Sequence, residues 1–198
     1  MKRILFFFII LFLRFSFAKA QSTWIDPNYR PEHYRKILVI AKFKDPISER
    51  ETEDATVARL RDKGIFAIPQ YAFIPNADTL SDDSFNRITD SLQVDGLLVY
   101  ALEGPGKEYR ERSSVNLGVG IPFRLGIFGG VLGTNIPLAG GTRVISLVNG
   151  NASFYTRTSK NMQWSNSFSA RNEGWDELSD KIARVTVRAM FRDRLLVR

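Results

Sequence analysis

Two carboxylates are the first candidates for chemistry. Asp45 follows the apolar run Ile37–Ala41, and Glu103 follows the apolar run Leu97–Leu102. Open α/β sheets bind ligands beyond the carboxyl ends of their strands, so acids at two adjacent strand ends could hold a small ligand. Carboxylates placed there also cap helices or stand in water. Both readings stay open for Asp45 and Glu103.

Other constellations are excluded by residue type. The chain has no cysteine, which removes disulfides, thiolate metal sites, a cysteine nucleophile and a lipid-accepting cysteine. His33 is the single histidine, too few for a histidine metal cluster, and nothing places it in a triad. No G-x-S-x-G occurs. Gly118-Val119-Gly120 is followed by Phe123 where a third glycine of a dinucleotide loop belongs, and no G-K-[ST] exists. The expectation is a protein without catalysis, cofactor or metal.

The elements that would position the two acids are legible as apolar runs. Lys36–Phe43 reads as a central parallel strand, rich in aliphatic and β-branched residues. A helix then starts at Asp45-Pro46, with Ser48-x-x-Glu51 as a capping box, and stops before Gly64. Its apolar stripe, Ile47, Ala55, Val57, Ala58 and Leu60, is thin. Ile65–Gln70 reads as a second strand with an edge-type Pro69. Ser81 reads as the N-cap of a second helix that buries Phe85, Ile88 and Leu92. Asp95–Glu103 is the third strand. The strand order expected of this β-α-β-α-β unit is 2-1-3 with right-handed crossovers.

The C-terminal half changes character. Arg143–Val148, an Asn149-Gly150 turn of the two-residue hairpin type, Asn151–Thr158, a turn at Ser159–Asn161 and Met162–Ala170 read as an antiparallel meander. Met162, Trp164, Phe168 and Ala170 alternate with Gln163, Ser165, Ser167 and Ser169. A helix over 174–192 closes the chain, with Trp175, Leu178, Ile182, Val185 and Ala189 on one stripe. The fold class expected is α/β, with α+β character in the C-terminal half. It is a three-stranded parallel unit extended by a meander and a closing helix.

Between the halves lies a glycine-rich insertion, about 115–141. Eight of the 14 glycines fall between Gly118 and Gly141, and Arg124 is the one charge from Val115 to Thr142. Val115, Leu117, Val119, Ile121, Phe123, Leu125 and Ile127 alternate with small or polar residues, which predicts a hairpin with one apolar face. Gly129-Gly130 is the turn signal. The apolar face could pack on the protein's own core or on a partner, including a second copy. It could instead enter an outer membrane, although Pro122 removes a strand donor and no aromatic girdle is present. As a third reading, it is a loop.

Compartment and charge come from the first twenty residues. Lys2 and Arg3, the apolar stretch Ile4–Leu13 and Ala18-Lys19-Ala20 read as a cleavable signal peptide. The apolar stretch is too short for a membrane-spanning helix. Residues 21–35 then form an extended lead-in that Trp24, Tyr29 and Tyr34 tack onto a single α/β domain over 36–198. The formal charge of +7 reflects 28 basic against 21 acidic residues; without the four bases of residues 1–20 it is 24 against 21, or +3. That balance does not point to nucleic acid. Arg184, Arg188 and Arg192 share one helix face, a solvated face that suits a helix C-terminus.

The order of K-I-L-V-I, R-D-K-G, I-F-A-I-P, V-D-G-L-L-V-Y-A-L, a glycine-rich insertion and Y-T-R-T-S-K-N-M-Q-W-S resembles a group of bacterial secreted proteins and lipoproteins. That group is similar in fold to the amino-terminal domain of the Tol–Pal propeller protein and the periplasmic domain of the curli secretion lipoprotein. The resemblance covers most of the mature chain and carries no catalytic residues. It implies a periplasmic or outer-membrane-associated envelope protein, and the curli relative implies a hairpin that enters the outer membrane. The absence of a lipid-accepting cysteine departs from the lipoprotein pattern.

Overall fold

A computed structural model describes residues 23–75, 77–102, 106–108, 116–125, 128–137, 145–157, 159, 161–171 and 174–197. The strands are β1 (Thr23–Ile25), β2 (Ile37–Lys42), β3 (Ala67–Pro69), β4 (Gly96–Leu102), β5 (Gly106–Glu108), β6 (Asn116–Leu125), β7 (Phe128–Pro137), β8 (Ile145–Thr156) and β9 (Met162–Arg171). The helices are α1 (Pro46–Arg61), the single turn α2 (Gln70–Phe73), α3 (Asp82–Ser91) and α4 (Trp175–Arg192). The main sheet runs β1-β9-β8-β4-β2-β3, with β5 beside β8. β3, β2 and β4 are parallel, while β8 joins β4 antiparallel. This is the expected α/β class with the expected 2-1-3 order of the parallel strands.

Both faces of the parallel strands are buried, as their continuous apolar runs require. Ile37, Val39, Leu98, Tyr100, Phe154, Trp164 and Phe168 pack under α1 and α4. Leu38, Ile40, Leu97, Val99 and Tyr155 pack on the opposite face with Phe85 of α3. Each large apolar side chain hidden in this way contributes about 1.5–3 kcal/mol.

Two local expectations are corrected and a third is given detail. First, Asn149-Gly150 is not a turn: β8 runs unbroken from Ile145 to Thr156. Gly150 is glycine because of packing, since a Cβ there would lie 2.6 Å from the Ala101 carbonyl oxygen and 2.6 Å from Phe168 Cζ. Second, α1 buries Ser48, Thr52, Glu53 and Thr56 beside Val57 and Leu60; Ala58 is exposed and Ile47 is 66% exposed. The helix meets polar partners, so an apolar stripe could not locate its inner face. Third, the lead-in is partly a strand, because β1 pairs with Trp164–Asn166 of β9. Tyr29 donates to the Leu195 carbonyl at 2.7 Å, and Tyr34 packs edge-on against Phe154. Trp24, by contrast, is 44% exposed.

Candidate functional site

The apolar insertion forms its own two-stranded sheet of β6 and β7, ten residues each. Leu125 pairs with Phe128, so two residues, 126 and 127, connect the strands. The turn is therefore three residues earlier than the glycine pair predicted, and Gly129 and Gly130 lie in β7 opposite Arg124 and Phe123. Both turn positions keep the same residues on the same face, so alternation could not choose between them.

The register decides what the hairpin presents. Leu117, Val119, Ile121, Phe123 and Leu125 pair with Ile136, Thr134, Leu132, Gly130 and Phe128. Directly opposed residues share a face, so the apolar residues of β6 fall together with Ile136, Leu132 and Phe128 of β7, while Val131 falls on the other face. Asn116, Gly118, Gly120, Pro122 and Arg124 pair with Pro137, Asn135, Gly133, Val131 and Gly129 on the other face. Val115 and Ile127, the remaining members of the predicted stripe, lie outside the described residues.

Hydrogen-bond parity settles the place of Pro122. A two-residue connection makes Leu125 and Phe128 the closing hydrogen-bonded pair, and bonded pairs alternate along an antiparallel ladder. The odd-numbered residues of β6 therefore bond to β7. Pro122 falls on a non-bonded pair with Val131, so its missing N–H costs the hairpin no bond. It removes one donor from the outer edge of β6, a position where proline discourages pairing with another strand.

Of the two strand-end acids, Asp45 has another occupation. Asp45 is the N-cap of α1 and accepts hydrogen bonds from the Ser48 amide at 3.0 Å and from the Ser48 hydroxyl. These bonds hold its carboxyl below the usual range, the hydroxyl contributing most. Glu103 lies outside the described residues.

A buried acid absent from the sequence reading lies nearby. Glu53 is 1% exposed; Ala41 N–H donates to its Oε1 at 2.9 Å and Tyr71 N–H to its Oε2 at 3.1 Å. Desolvation pushes its carboxyl up to about 7, against the opposing pull of these amides. Strand parity explains the placement. Ile37 N–H bonds toward β3, to the Phe66 carbonyl, so the Val39, Ala41 and Phe43 amides point to the same side. β3 ends at Pro69, and there Glu53 receives Ala41 and Glu49 receives Phe43 at 2.9 Å. Two acids spaced i, i+4 on α1 thus stand in for a strand that has ended. The i, i+4 spacing was readable in the sequence, but the length of β3 was not. Among the described residues no group of three acids or histidines is placed to hold a metal ion, and His33 is exposed.

No family model matches the sequence, and no curated protein matches it. Among solved structures the chain is similar to the PelC dodecamer from Paraburkholderia phytofirmans, at 13% identity and a TM-score of 0.45, over 84% of this chain and 93% of that one. It is also similar to the lipoprotein GNA1162 from Neisseria meningitidis, at 16% identity and a TM-score of 0.41, over 79% of this chain and 98% of that one. At these values the likeness concerns the general fold.

Proposed function

We propose that this chain is a non-catalytic protein of the bacterial envelope that acts through the apolar face of the β6–β7 hairpin, by binding a protein partner or further copies of itself. The supporting observation is the register, which puts the alternating apolar residues of β6 on one face with Ile136, Leu132 and Phe128 of β7, in a ladder of its own. A two-stranded ribbon is marginal in water on its own, so an apolar face on it calls for a surface that covers it.

A second reading, a subunit of an outer-membrane assembly that inserts residues 115–138, is favoured by strand length. Ten residues extend about 33 Å, and a tilted membrane strand takes about 9–11 residues. Arg124 sits one rung from the tip, a position at the far interface of an inserted hairpin. Closing a barrel from several hairpins would require pairing along the outer edge of β6, with one rung lost at Pro122.

Fractionation separates the readings. The full chain is compared with a variant in which 115–141 is replaced by a glycine-serine turn, and with a Val119→Asp, Leu125→Asp double variant. On the partner reading, the parent is soluble but larger than one chain, and both variants run as monomers. On the insertion reading, the parent resists carbonate extraction and the variants do not. If all three are soluble and monomeric, the hairpin face has no such role.

A further inference from the structure

Among the described residues, one side-chain amide buried beneath α4 has no partner in the protein. Asn166 of β9 is fully buried, and neither its Oδ1 nor its Nδ2 has a hydrogen-bond partner. A buried amide with no partner costs several kilocalories per mole, so native proteins seldom tolerate one without a bound molecule to satisfy it.

The surroundings can be built from register. Tyr100 of β4 pairs with Ala152 of β8, and Ala152 pairs with Asn166. The three lie in one row across the sheet, on the face covered by α1 and α4. The middle member is the smallest, so the row dips beside the amide. Above it runs α4, returning antiparallel to β9: Trp164 Nε1 donates to Asp193 Oδ2 at 2.9 Å, and Arg192 Nη2 donates to Thr23 Oγ1 at 2.9 Å. Two strand residues advance about as far as four helix residues. Moving from Trp164 to Asn166 therefore moves from Asp193 back to Ala189, a second small residue. Thr186, one turn further, is fully buried and its Oγ1 is also without a partner at bonding geometry. That hydroxyl neighbours the Tyr100 hydroxyl, which accepts from Thr56 Oγ1 at 3.0 Å.

We infer that this position is an internal binding site for water, held by the Asn166 amide and the Thr186 hydroxyl between Ala152 and Ala189. A buried water needs two to four polar partners and room for one probe sphere, and apolar cavities stay dry. Asn166 offers a donor and an acceptor, and Thr186 offers either. The water completes a polar layer that already includes Thr56–Tyr100 and the Thr52–Ser179 hydroxyl pair at 3.0 Å between α1 and α4. A polar layer of this kind fixes how the two helices sit on the sheet, because sliding α4 by one residue would part Ser179 from Thr52 and Thr186 from the water together.

The wild-type chain supplies the test. In a high-resolution crystal structure, one ordered water lies within hydrogen-bond distance of both Asn166 and Thr186. In solution, the Asn166 side-chain amide protons show cross-relaxation to a long-lived water. Thr186→Val, which preserves shape and removes one partner, shortens that residence time at least several-fold while the backbone spectrum is kept. An Asn166 amide bonded only to protein groups, or a site without solvent in both measurements, overturns the inference. An unchanged residence time in Thr186→Val removes Thr186 from the site.

Discussion

Replacing Glu53 by glutamine tests the strand-substitute role through pH. The carboxyl is pushed from 4.5 to about 7 by burial, so the folded chain holds its proton more tightly than the unfolded chain does. For an acid raised in this way, stability is fully present below the unfolded value and is lost as pH rises through about 7. With these two values, linkage gives a loss of about 2–3 kcal/mol between pH 5 and pH 8 from this one group. The side chain of Glu53→Gln cannot ionise, so this slope disappears. It also retains a single oxygen for two amides, Ala41 and Tyr71, and its amide group meets the second donor. That mismatch makes Glu53→Gln less stable than wild type at pH 5 by about 1–2 kcal/mol. The gap then narrows or reverses by pH 8. Urea unfolding of both proteins at pH 5, 6, 7 and 8 reads this directly. Parallel stability curves across that range would refute the reasoning, since they would mean Glu53 titrates alike in the folded and unfolded chains.

The remaining predictions concern backbone and packing. Gly150→Ala places a Cβ against the Ala101 carbonyl and the Phe168 ring; it destabilises by about 1–3 kcal/mol in thermal or denaturant unfolding. Gln93, just past α3, adopts φ 57°, so Gln93→Gly relieves left-handed strain and raises stability by up to about 1 kcal/mol in the same unfolding measurement.

Much of the architecture was legible because local chemistry and tertiary environment agree there. Continuous runs such as Ile37–Ala41 and Leu97–Leu102 could only be satisfied in strands covered on both faces. Ser81 meets the Ser84 amide as an N-cap should. Leu178, Ile182 and Ala189 of α4 are buried as their spacing required, and Arg184, Arg188 and Arg192 are exposed. Alternation likewise located β6 and β9, because a strand sorts residues by parity whatever it later packs on.

Long-range packing ruled wherever one local signal has two uses. Glycine serves a turn or a close approach; at Gly150 the Phe168 ring across the strand chose the second. A carboxylate at a strand end serves a ligand, a helix cap or an unpaired amide; Asp45 became a cap, and Glu53, unremarkable in sequence, became a rung because β3 stops at Pro69. Asn166 stands in an apolar alternation and is told from a surface asparagine only once α4 covers it. Patterning along one chain is enough to sort the apolar faces of β9 and α4 toward the core and to mark β2 and β4 as buried on both faces, since that needs no knowledge of distant segments. Which buried polar group meets which partner depends on segments far apart in the chain, and only their packing could assign it.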